Sequence, residues 1–408
     1  MSAGSTQRSS PHVVIAGAGI GGLATACALL QRGLRVTVLE QAGAPTEIGA
    51  GLQISANGAR ALFALGLERA LQTVWCEPIG KEVRMWNSGE SWKLFDLGVI
   101  SRERYGAPYF MIHRGDLNRV LYAAVEALDP SAVRFGCRCI GFTQDADGIS
   151  ADVESGERVR GDVLIAADGV HSAIRNSLVG EQRAQFTGCV AWRGLVPAEK
   201  LPERLRRPVG VNWVGPGGHV VHYLLRGGDV LNFVGIIERD DWRVESWTEP
   251  GTMEECLRDF AGWHDDVRFM IGHVETPYKW ALLSREPLRR WSHGRVTLLG
   301  DAAHPTLPMM AQGANMALED ALVLARCIDS FRADVAAGLR AYENARIDRT
   351  SRLVRAANDN ARRFHNPVLG SLQGAKTYVE REWQENKVKQ RYDWVFSYDP
   401  TTTPVGAN

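Results

Sequence analysis

The 408-residue sequence predicts an α/β fold, in which a Rossmann-like domain is interleaved with a β-sheet-rich domain and followed by a helical C-terminal segment. Two observations predict it. Apolar runs at residues 12–16 and 35–39 flank a helical pattern, which is typical of a βαβ unit in a parallel sheet. Between residues 186 and 274, strand-like runs are broken by Gly and Pro, and these runs predict a separate sheet.

The first βαβ unit contains three glycines, Gly17, Gly19 and Gly22, in the pattern G-x-G-x-x-G. The first glycine permits a tight turn, the second lets a pyrophosphate approach the backbone, and the third lets the helix pack closely on the strand. The helix N-terminus then faces the phosphates with free N–H groups. Glu40 ends the second strand, where a carboxylate can accept hydrogen bonds from an adenosine ribose. The pattern therefore predicts a bound dinucleotide.

Two further glycine-anchored stretches follow, at residues 162–169 and 296–305. In the second of them, Gly300 and Asp301 come directly after an apolar strand, where cofactor crevices form in open α/β sheets. Residues 312–315, which include Gly313 and Asn315, open a helix whose N-terminus can face another polar group of the cofactor. Three such stretches indicate one large cofactor that the chain contacts repeatedly. A second sugar chain, such as the ribityl chain of a flavin, accounts for them.

Domain boundaries follow from changes of pattern along the chain. Residues 56–72 predict a helix, whereas residues 76–104 alternate in polarity as antiparallel strands do. The chain is mostly helical from residue 311 onward. We assign a first domain at residues 1–75, 105–185 and 275–365, a second domain at 76–104 and 186–274, and a C-terminal helical segment with a tail at 366–408.

Composition and charge narrow the function classes. The 47 basic and 47 acidic residues balance, so we expect no broad attraction to nucleic acid or to an anionic membrane. No apolar stretch reaches the roughly 20 residues of a membrane span. The seven cysteines lack a Cys-x-x-Cys pair, so we expect buried free thiols in a cytoplasmic protein and no metal site. The first ten residues and the segment from Thr401 onward are expected to be disordered tails.

The three motifs, in this order, resemble the flavoprotein aromatic hydroxylases of the p-hydroxybenzoate hydroxylase type over roughly residues 12–365. Residues 113–117, 191–194 and 300–320 are most similar to the single-component salicylate, 3-hydroxybenzoate and 6-hydroxynicotinate hydroxylases. The resemblance implies a FAD-binding domain and a substrate-binding domain, with one non-covalent FAD. It also implies that NADH or NADPH reduces the flavin, which reacts with dioxygen to a C4a-hydroperoxide that hydroxylates an electron-rich ring.

The resemblance also implies roles for individual residues. The adenosine and pyrophosphate contacts fall to the three glycines of the first motif and to Glu40. Arg114 touches the flavin, Asp168 belongs to a motif shared between FAD and the nicotinamide donor, and Asp301 binds the ribityl chain. The helical C-terminal third is compatible with a homodimer.

Substrate contacts are expected from a strand that contains His219 and Tyr223. Residues four apart in a strand share one face, whereas His222 points to the other. In the relatives a His and a Tyr at this spacing contact the substrate, so His219 is the candidate base for the phenolic proton and Tyr223 a candidate hydrogen-bond donor. The alternative is a histidine that is hydrogen-bonded within the sheet and a tyrosine that belongs to the core.

Gln53, Pro308 and Met309 complete the expected substrate pocket. The hydroxynicotinate hydroxylases have His where this chain has Gln53 and Met309. No arginine is evidently reserved for a substrate carboxylate. A phenol that loses a substituent, such as a nitrophenol, is therefore an alternative substrate to a hydroxybenzoate. A flavin epoxidase and a non-catalytic flavin sensor are further alternatives. A halogenase is disfavoured because the Trp-x-Trp-x-Ile-Pro element is missing.

Overall fold

The structure is a computed structural model that describes residues 10–45, 49–95, 97–242, 244 and 249–406. The N-terminal tail expected from the sequence therefore lies outside the described residues, apart from Ser10. The strands of the described residues are, in chain order, β1 (His12–Ala16), β2 (Arg35–Leu39), β3 (Gly51–Ile54), β4 (Gly80–Met85), β5 (Ser91–Phe95), β6 (Phe110–His113), β7 (Val133–Arg134), β8 (Cys139–Gln144), β9 (Ile149–Val153), β10 (Arg158–Gly161), β11 (Val163–Ala166), β12 (Gln185–Pro197), β13 (Val209–Gly215), β14 (Gly218–Leu225), β15 (Val230–Glu238), β16 (Tyr278–Ser284), β17 (Ser292–His293) and β18 (Val296–Leu298).

The α-helices of the same residues are α1 (Ile20–Leu30), α2 (Ala56–Ala64), α3 (Glu68–Gln72), α4 (Leu97–Tyr105), α5 (Arg114–Leu128), α6 (Ala173–Val179), α7 (Met253–Asp259), α8 (Asp265–Gly272), α9 (Gly313–Ser330), α10 (Val335–Phe364), α11 (Leu372–Glu382) and α12 (Glu385–Phe396). None of these described helices is both long and apolar enough to cross a membrane.

The first sheet has the strand order β17-β18-β11-β1-β2-β7 and is parallel except for β17. The side chains of Val13 to Ala16 in β1 are fully buried, as expected for a central strand of a parallel sheet covered on both faces. Helix α1 packs against α5 and α9. The α/β fold predicted from the sequence is confirmed.

The second sheet has the order β16-β12-β15-β14-β13-β4-β5 and is antiparallel except for the parallel pair β4–β13. Its core includes the buried side chains of Trp192, Phe260 and Met270. Strand β16 pairs with β12 in this sheet. It therefore belongs by its hydrogen bonds to the second sheet, although it lies beyond the boundary that the sequence analysis set at residue 274.

The helix predicted over residues 56–72 is two helices, α2 and α3, separated at Gly66. The backbone of Gly66 has a φ of +78°, which non-glycine residues rarely adopt. The N–H of Leu67 reaches back to the carbonyl of Leu62 at 3.2 Å, and the N–H of Gly66 reaches that of Phe63 at 2.9 Å. A left-handed glycine just after the last turn is a common helix end.

Residues 398–400, which precede the predicted tail, contact arginines that are distant in the chain. Arg326 donates a hydrogen bond to the carbonyl of Pro400 at 2.7 Å, and Arg60 donates one to that of Tyr398 at 2.8 Å. The guanidinium of Arg349 lies 3.9 Å from the centre of the Tyr398 ring. From Thr401 onward, the hydroxyls of Thr401 and Thr403 bond to nearby Asp399, and disorder of the tail stays a prediction.

A buried ion cluster joins α9 to α10. Arg346 on α10 pairs with Glu319 at 2.6 Å and with Asp320 at 2.7 Å, and all three side chains are fully buried. His304 also contacts Asp320, with 2.6 Å between Nε2 and Oδ2. Burial opposes ionisation of both carboxyls, but the neighbouring cations outweigh it. His304 and Arg346 lower the pKa of Asp320. Arg349 and Arg346 lower the pKa of Glu319. The cluster fixes the turn at residues 300–304.

We expect Arg346→Met to lower the free energy of unfolding by about 3–5 kcal/mol, because it leaves two buried carboxylates without a shared cation. Urea unfolding followed by circular dichroism measures this loss. The control is Arg362→Met, since Arg362 on the same helix is 82% exposed and pairs with Asp359 only at 3.5 Å. Similar stability of the two variants would contradict a stabilising role for the cluster.

Candidate active site

A cavity of about 280 Å³, here called the main cavity, opens where the two sheets meet. Parallel strands β1, β11 and β18 point their carboxyl ends toward it, which is where open α/β sheets bind ligands. The residues of the sequence-predicted site that line it are Gly19, Gln53, Arg114, His219, Tyr223, Gly300, Asp301, Pro308 and Gly313. Residues far apart in the chain thus form one wall.

The three glycines of the first motif have different surroundings. A Cβ at Gly22 would lie 2.0 Å from the carbonyl oxygen of Gly17, and one at Gly17 would lie 2.5 Å from that of Ala167. Gly17 also has a φ of +99°. A Cβ at Gly19, in contrast, would have nothing within 4 Å. Gly17 and Gly22 are therefore required by the turn and by packing, whereas the space above Gly19 is open to the cavity.

Two helix N-termini face the main cavity. Residues Gly19 to Gly21 at the start of α1 and Gly313 with Ala314 at the start of α9 belong to its lining. Neither helix has a side-chain cap or an acidic residue in its first turn. The first N–H groups of both helices are therefore available to a bound anion or carbonyl oxygen.

The three predicted acidic residues differ in what they already bind. Both carboxylate oxygens of Glu40 accept backbone hydrogen bonds, from Ala18 at 2.7 Å and from Ala42 at 2.8 Å. Oδ1 of Asp168 is buried without a partner among the described residues, and burial raises the pKa of this carboxyl. Asp301 is exposed to the cavity.

Asn315 is fully buried and its amide is used by the protein itself. Nδ2 donates to the carbonyls of Gln53 at 2.9 Å and Ala311 at 2.8 Å, while Oδ1 accepts from the N–H of Ser55 at 3.1 Å. Through these bonds Asn315 ties α9 to β3. Its contact with the cofactor remains a prediction, and its bond to the carbonyl of Gln53 holds β3 against the start of α9.

A second cavity of about 50 Å³, here called the inner cavity, adjoins the main one. Gln53, His219, Val221, Pro308 and Ala311 line both cavities. The predicted pocket residue Met309 lines only the inner one. The C-terminal segment also lines the inner cavity, with Trp383, Val388, Tyr392 and Phe396.

The register of the second sheet explains which side chains reach the cavities. His219 and Tyr223 lie on one face of β14, as the alternation predicts, and Val214 and Ile236 are the cross-strand neighbours of His219. His222 points to the opposite face, where its ring lies near Trp213. Burial, with a contribution from Arg84, lowers the pKa of His222 to about 3.

His219 belongs to a chain of three side chains that leads from the cavity to the surface. Its Nδ1 lies 2.7 Å from Nε2 of His365, and Nδ1 of His365 lies 3.1 Å from a carboxylate oxygen of Glu238, whose side chain is 57% exposed. A carboxylate only accepts, so His365 donates from Nδ1 and accepts at Nε2, and His219 donates from Nδ1. Nε2 of His219 therefore retains its lone pair.

No sequence pattern indicated His365, Glu238 and Lys81 as residues of this region. His365 follows α10 and Glu238 ends β15, and no spacing pattern relates either of them to residue 219. Lys81 is one charged residue in an alternating strand, which normally indicates a solvated side chain. Only the pairing of β4 with β13 places it beside the inner cavity.

The fold and the cavity define a dinucleotide-binding α/β protein. The sequence profile of the family described as "FAD binding domain" matches residues 11–357. The chain belongs to this family and is a flavoprotein hydroxylase, as the sequence resemblance predicted.

Curated relatives cover nearly the whole chain. The 3-amino-4-hydroxybenzoate 2-monooxygenase PtnB3 of Streptomyces platensis is 38% identical over 97% of this chain and 98% of its own length. The 3-hydroxybenzoate 6-hydroxylase of Klebsiella oxytoca is 36% identical over 95% and 96%. Among solved structures, HpxO of Klebsiella pneumoniae complexed with FAD and uric acid superposes with a TM-score of 0.81 at 30% identity, covering 97% of this chain and 98% of that chain.

The residues of the main cavity fit FAD. The open space at Gly19 and the free N-terminus of α1 suit a pyrophosphate, and Asp301 with the N-terminus of α9 suits the ribityl chain and a ring carbonyl. The buried, unpartnered oxygen of Asp168 is a further acceptor beside the glycine loop. Among the described residues, no group of three or more His, Cys, Asp or Glu side chains has the arrangement of a metal site.

Proposed function

We propose that this flavoprotein hydroxylates a small phenolic or hydroxy-heteroaromatic ring, such as a hydroxybenzoate or salicylate, with NADH or NADPH and dioxygen as co-substrates. The observation that carries the proposal is a buried histidine, His219, in the wall that the main cavity shares with the inner one. By their names, the two relatives above act on an aminohydroxybenzoate and a hydroxybenzoate, which supports a ring of this class.

FAD, when bound, supplies the transfer of electrons from the nicotinamide and the activation of dioxygen. The task of His219 is to take the proton of the substrate hydroxyl at Nε2, because a phenolate ring is richer in electrons than a phenol. Burial, together with the neighbouring His365, lowers the pKa of His219 well below its usual range. The ring is therefore neutral at physiological pH and its Nε2 can accept a proton.

The proton then has a path to solvent. As Nε2 of His219 takes the substrate proton, Nδ1–H passes its own proton to Nε2 of His365, which releases one from Nδ1 to Glu238. The carboxylate of Glu238 is exposed and exchanges with water. His365 and Glu238 act through His219 and are positioning residues.

Tyr223 is proposed as a hydrogen-bond donor to the substrate. Burial raises its pKa well above the usual value, with an opposing effect from the nearby Gln53 side chain, so the hydroxyl stays protonated. It lies in the same wall of the main cavity as His219. A protonated hydroxyl there can donate a hydrogen bond to the substrate oxygen that His219 deprotonates.

Stopped-flow oxidation of NADH and NADPH by the FAD-loaded protein tests the proposal, with a panel of phenols, hydroxybenzoates and hydroxypyridines. We expect one ring class to accelerate oxidation and to yield a hydroxylated product in mass spectrometry. The product also distinguishes simple hydroxylation from hydroxylation with loss of a substituent. Bound FAD without acceleration by any ring would contradict the proposal and support a flavin sensor.

A further inference from the structure

Lys81 on β4 contributes a cationic side chain to the lining of the inner cavity. Its Nζ is 3.4 Å from the side-chain oxygen of Gln53, which is a long contact for a hydrogen bond. The same oxygen already accepts a 2.6 Å hydrogen bond from the hydroxyl of Tyr109. Within the described part of the chain, Lys81 pairs with no carboxylate. Lys81 is half-buried, so an anion in the cavity would replace part of the hydration that its ammonium group has lost.

Strand β13, which pairs with β4, adds an amide to the surroundings of Lys81. The residue opposite Lys81 on β13 is Gly210, and the methyl group of Met111 lies 3.2 Å from where a Cβ of Gly210 would be. Asn212, two residues further along the same face, also lines the inner cavity and is 6% exposed. Its Oδ1 is buried without a hydrogen-bond partner. An amide can turn to present either its oxygen or its nitrogen, so Asn212 is a second unsatisfied polar group in this cavity.

The size of the inner cavity indicates what part of a ligand it receives. A dry cavity of about 150 Å³ accommodates benzene, so 50 Å³ is suited to a substituent and not to a ring. A ring would lie at the wall that the two cavities share, beside His219 and Pro308. Its substituent would then point toward Lys81.

We propose that Lys81 and Asn212 form a subsite that binds an anionic substituent of the aromatic substrate, a carboxylate in the first instance. The assignment rests on the proposed function and narrows its substrate class to rings with a negative charge away from the reacting hydroxyl. No arginine in the sequence was evidently reserved for a substrate carboxylate. In this proposal Lys81 on β4 takes that role.

The titration of the free site gives a second signature. Burial lowers the pKa of Lys81 to about 8. Tyr109, Tyr392 and His219 also line the inner cavity, and Tyr223, Arg114, Arg193 and Asp301 line the main one. Burial raises the pKa of the three tyrosines and lowers that of the histidine. An anion binds the protonated lysine, so affinity for a carboxylate should fall as the pH rises through about 8.

The test is equilibrium binding of 3-hydroxybenzoate and its neutral analogue 3-hydroxybenzamide to the FAD-loaded protein, measured by calorimetry. We expect the wild type to prefer the carboxylate. Lys81→Met should weaken carboxylate binding roughly 30-fold or more, because the ammonium–carboxylate contact in the cavity is lost, and leave the amide within about threefold. It should also abolish the loss of carboxylate affinity near pH 8. Lys200→Met is the control, since Lys200 is 44% exposed and pairs with Glu275.

The results that would overturn the subsite differ from the result that would overturn the proposed function. Equal loss of both ligands, or no change of either, in a Lys81→Met protein that retains FAD would remove the anion subsite while a hydroxylase of neutral rings still stands. Failure of both ligands to bind the wild type, with no ring stimulating NAD(P)H oxidation, would remove the proposed function itself. Asn212→Leu distinguishes folding from binding, since it should weaken carboxylate binding by a smaller factor at unchanged FAD content.

Discussion

His219→Asn is expected to lower the rate of ring hydroxylation by about 10²–10⁴-fold, the usual contribution of a general base. Reduction of the flavin by NAD(P)H should change little, because His219 acts on the substrate hydroxyl and not on the nicotinamide. Reduced flavin would then consume dioxygen without oxygenating the ring. Stopped-flow absorbance separates the two half-reactions, and the ratio of hydroxylated product to hydrogen peroxide measures the loss of coupling.

His222→Asn is the matched control, because His222 lies on the same strand, is equally buried and points to the opposite face. It should affect stability alone. Glu238→Leu tests the proposed proton path: we expect a loss of about tenfold in kcat, near the value of one hydrogen bond, with KM unchanged. Full hydroxylation by His219→Asn, or equal losses in His219→Asn and His222→Asn, would remove His219 as the base.

Gly19→Ala is expected to weaken FAD binding by about 5- to 150-fold, because a methyl group inserted into an occupied site costs about 1–3 kcal/mol. In the protein itself the added Cβ meets no atom within 4 Å, so the fold should not change. Flavin content after purification and the dissociation constant from fluorescence quenching measure the effect. Unfolding of the apoprotein provides the check on stability.

Substitutions of two other glycines are the controls for this experiment. Gly272→Ala, at the end of α8, also adds a Cβ with nothing within 4 Å but lies outside the main cavity, so it should leave FAD binding unchanged. Gly22→Ala would bring a Cβ 2.0 Å from a backbone oxygen and should impair folding of the apoprotein as well. If Gly19→Ala binds FAD as tightly as the wild type, the pyrophosphate does not lie over Gly19.

The cofactor half of the site was predictable from the sequence because its signals are local. The glycines Gly17, Gly19 and Gly22 mark a turn between one strand and the next helix, and Asp301 comes directly after its strand. In a parallel sheet the carboxyl ends of neighbouring strands meet at one edge. Local patterns therefore indicated the residues of one cavity before any tertiary contact was known.

The substrate half was predictable only in part. The alternation of β14 placed His219 and Tyr223 on one face, and the structure has them so. The partners of His219 come from residues 238 and 365, which no local pattern connects with it. The C-terminal segment, which the sequence predicted to be helical before its tail, supplies Trp383 and Phe396 to the inner cavity, and no local pattern indicated this placement.

By itself the sequence determined the fold class, the flavoprotein family and the glycine turns that suit FAD, since each depends on residues within one strand–turn–helix unit. Tertiary structure alone decided the position of Lys81 beside Gly210 and the chain from His219 to Glu238, because strand pairing and helix docking bring together residues more than a hundred positions apart. The sequence gives the charge of a side chain, but the neighbours of that side chain in the fold decide whether the charge faces water or a cavity.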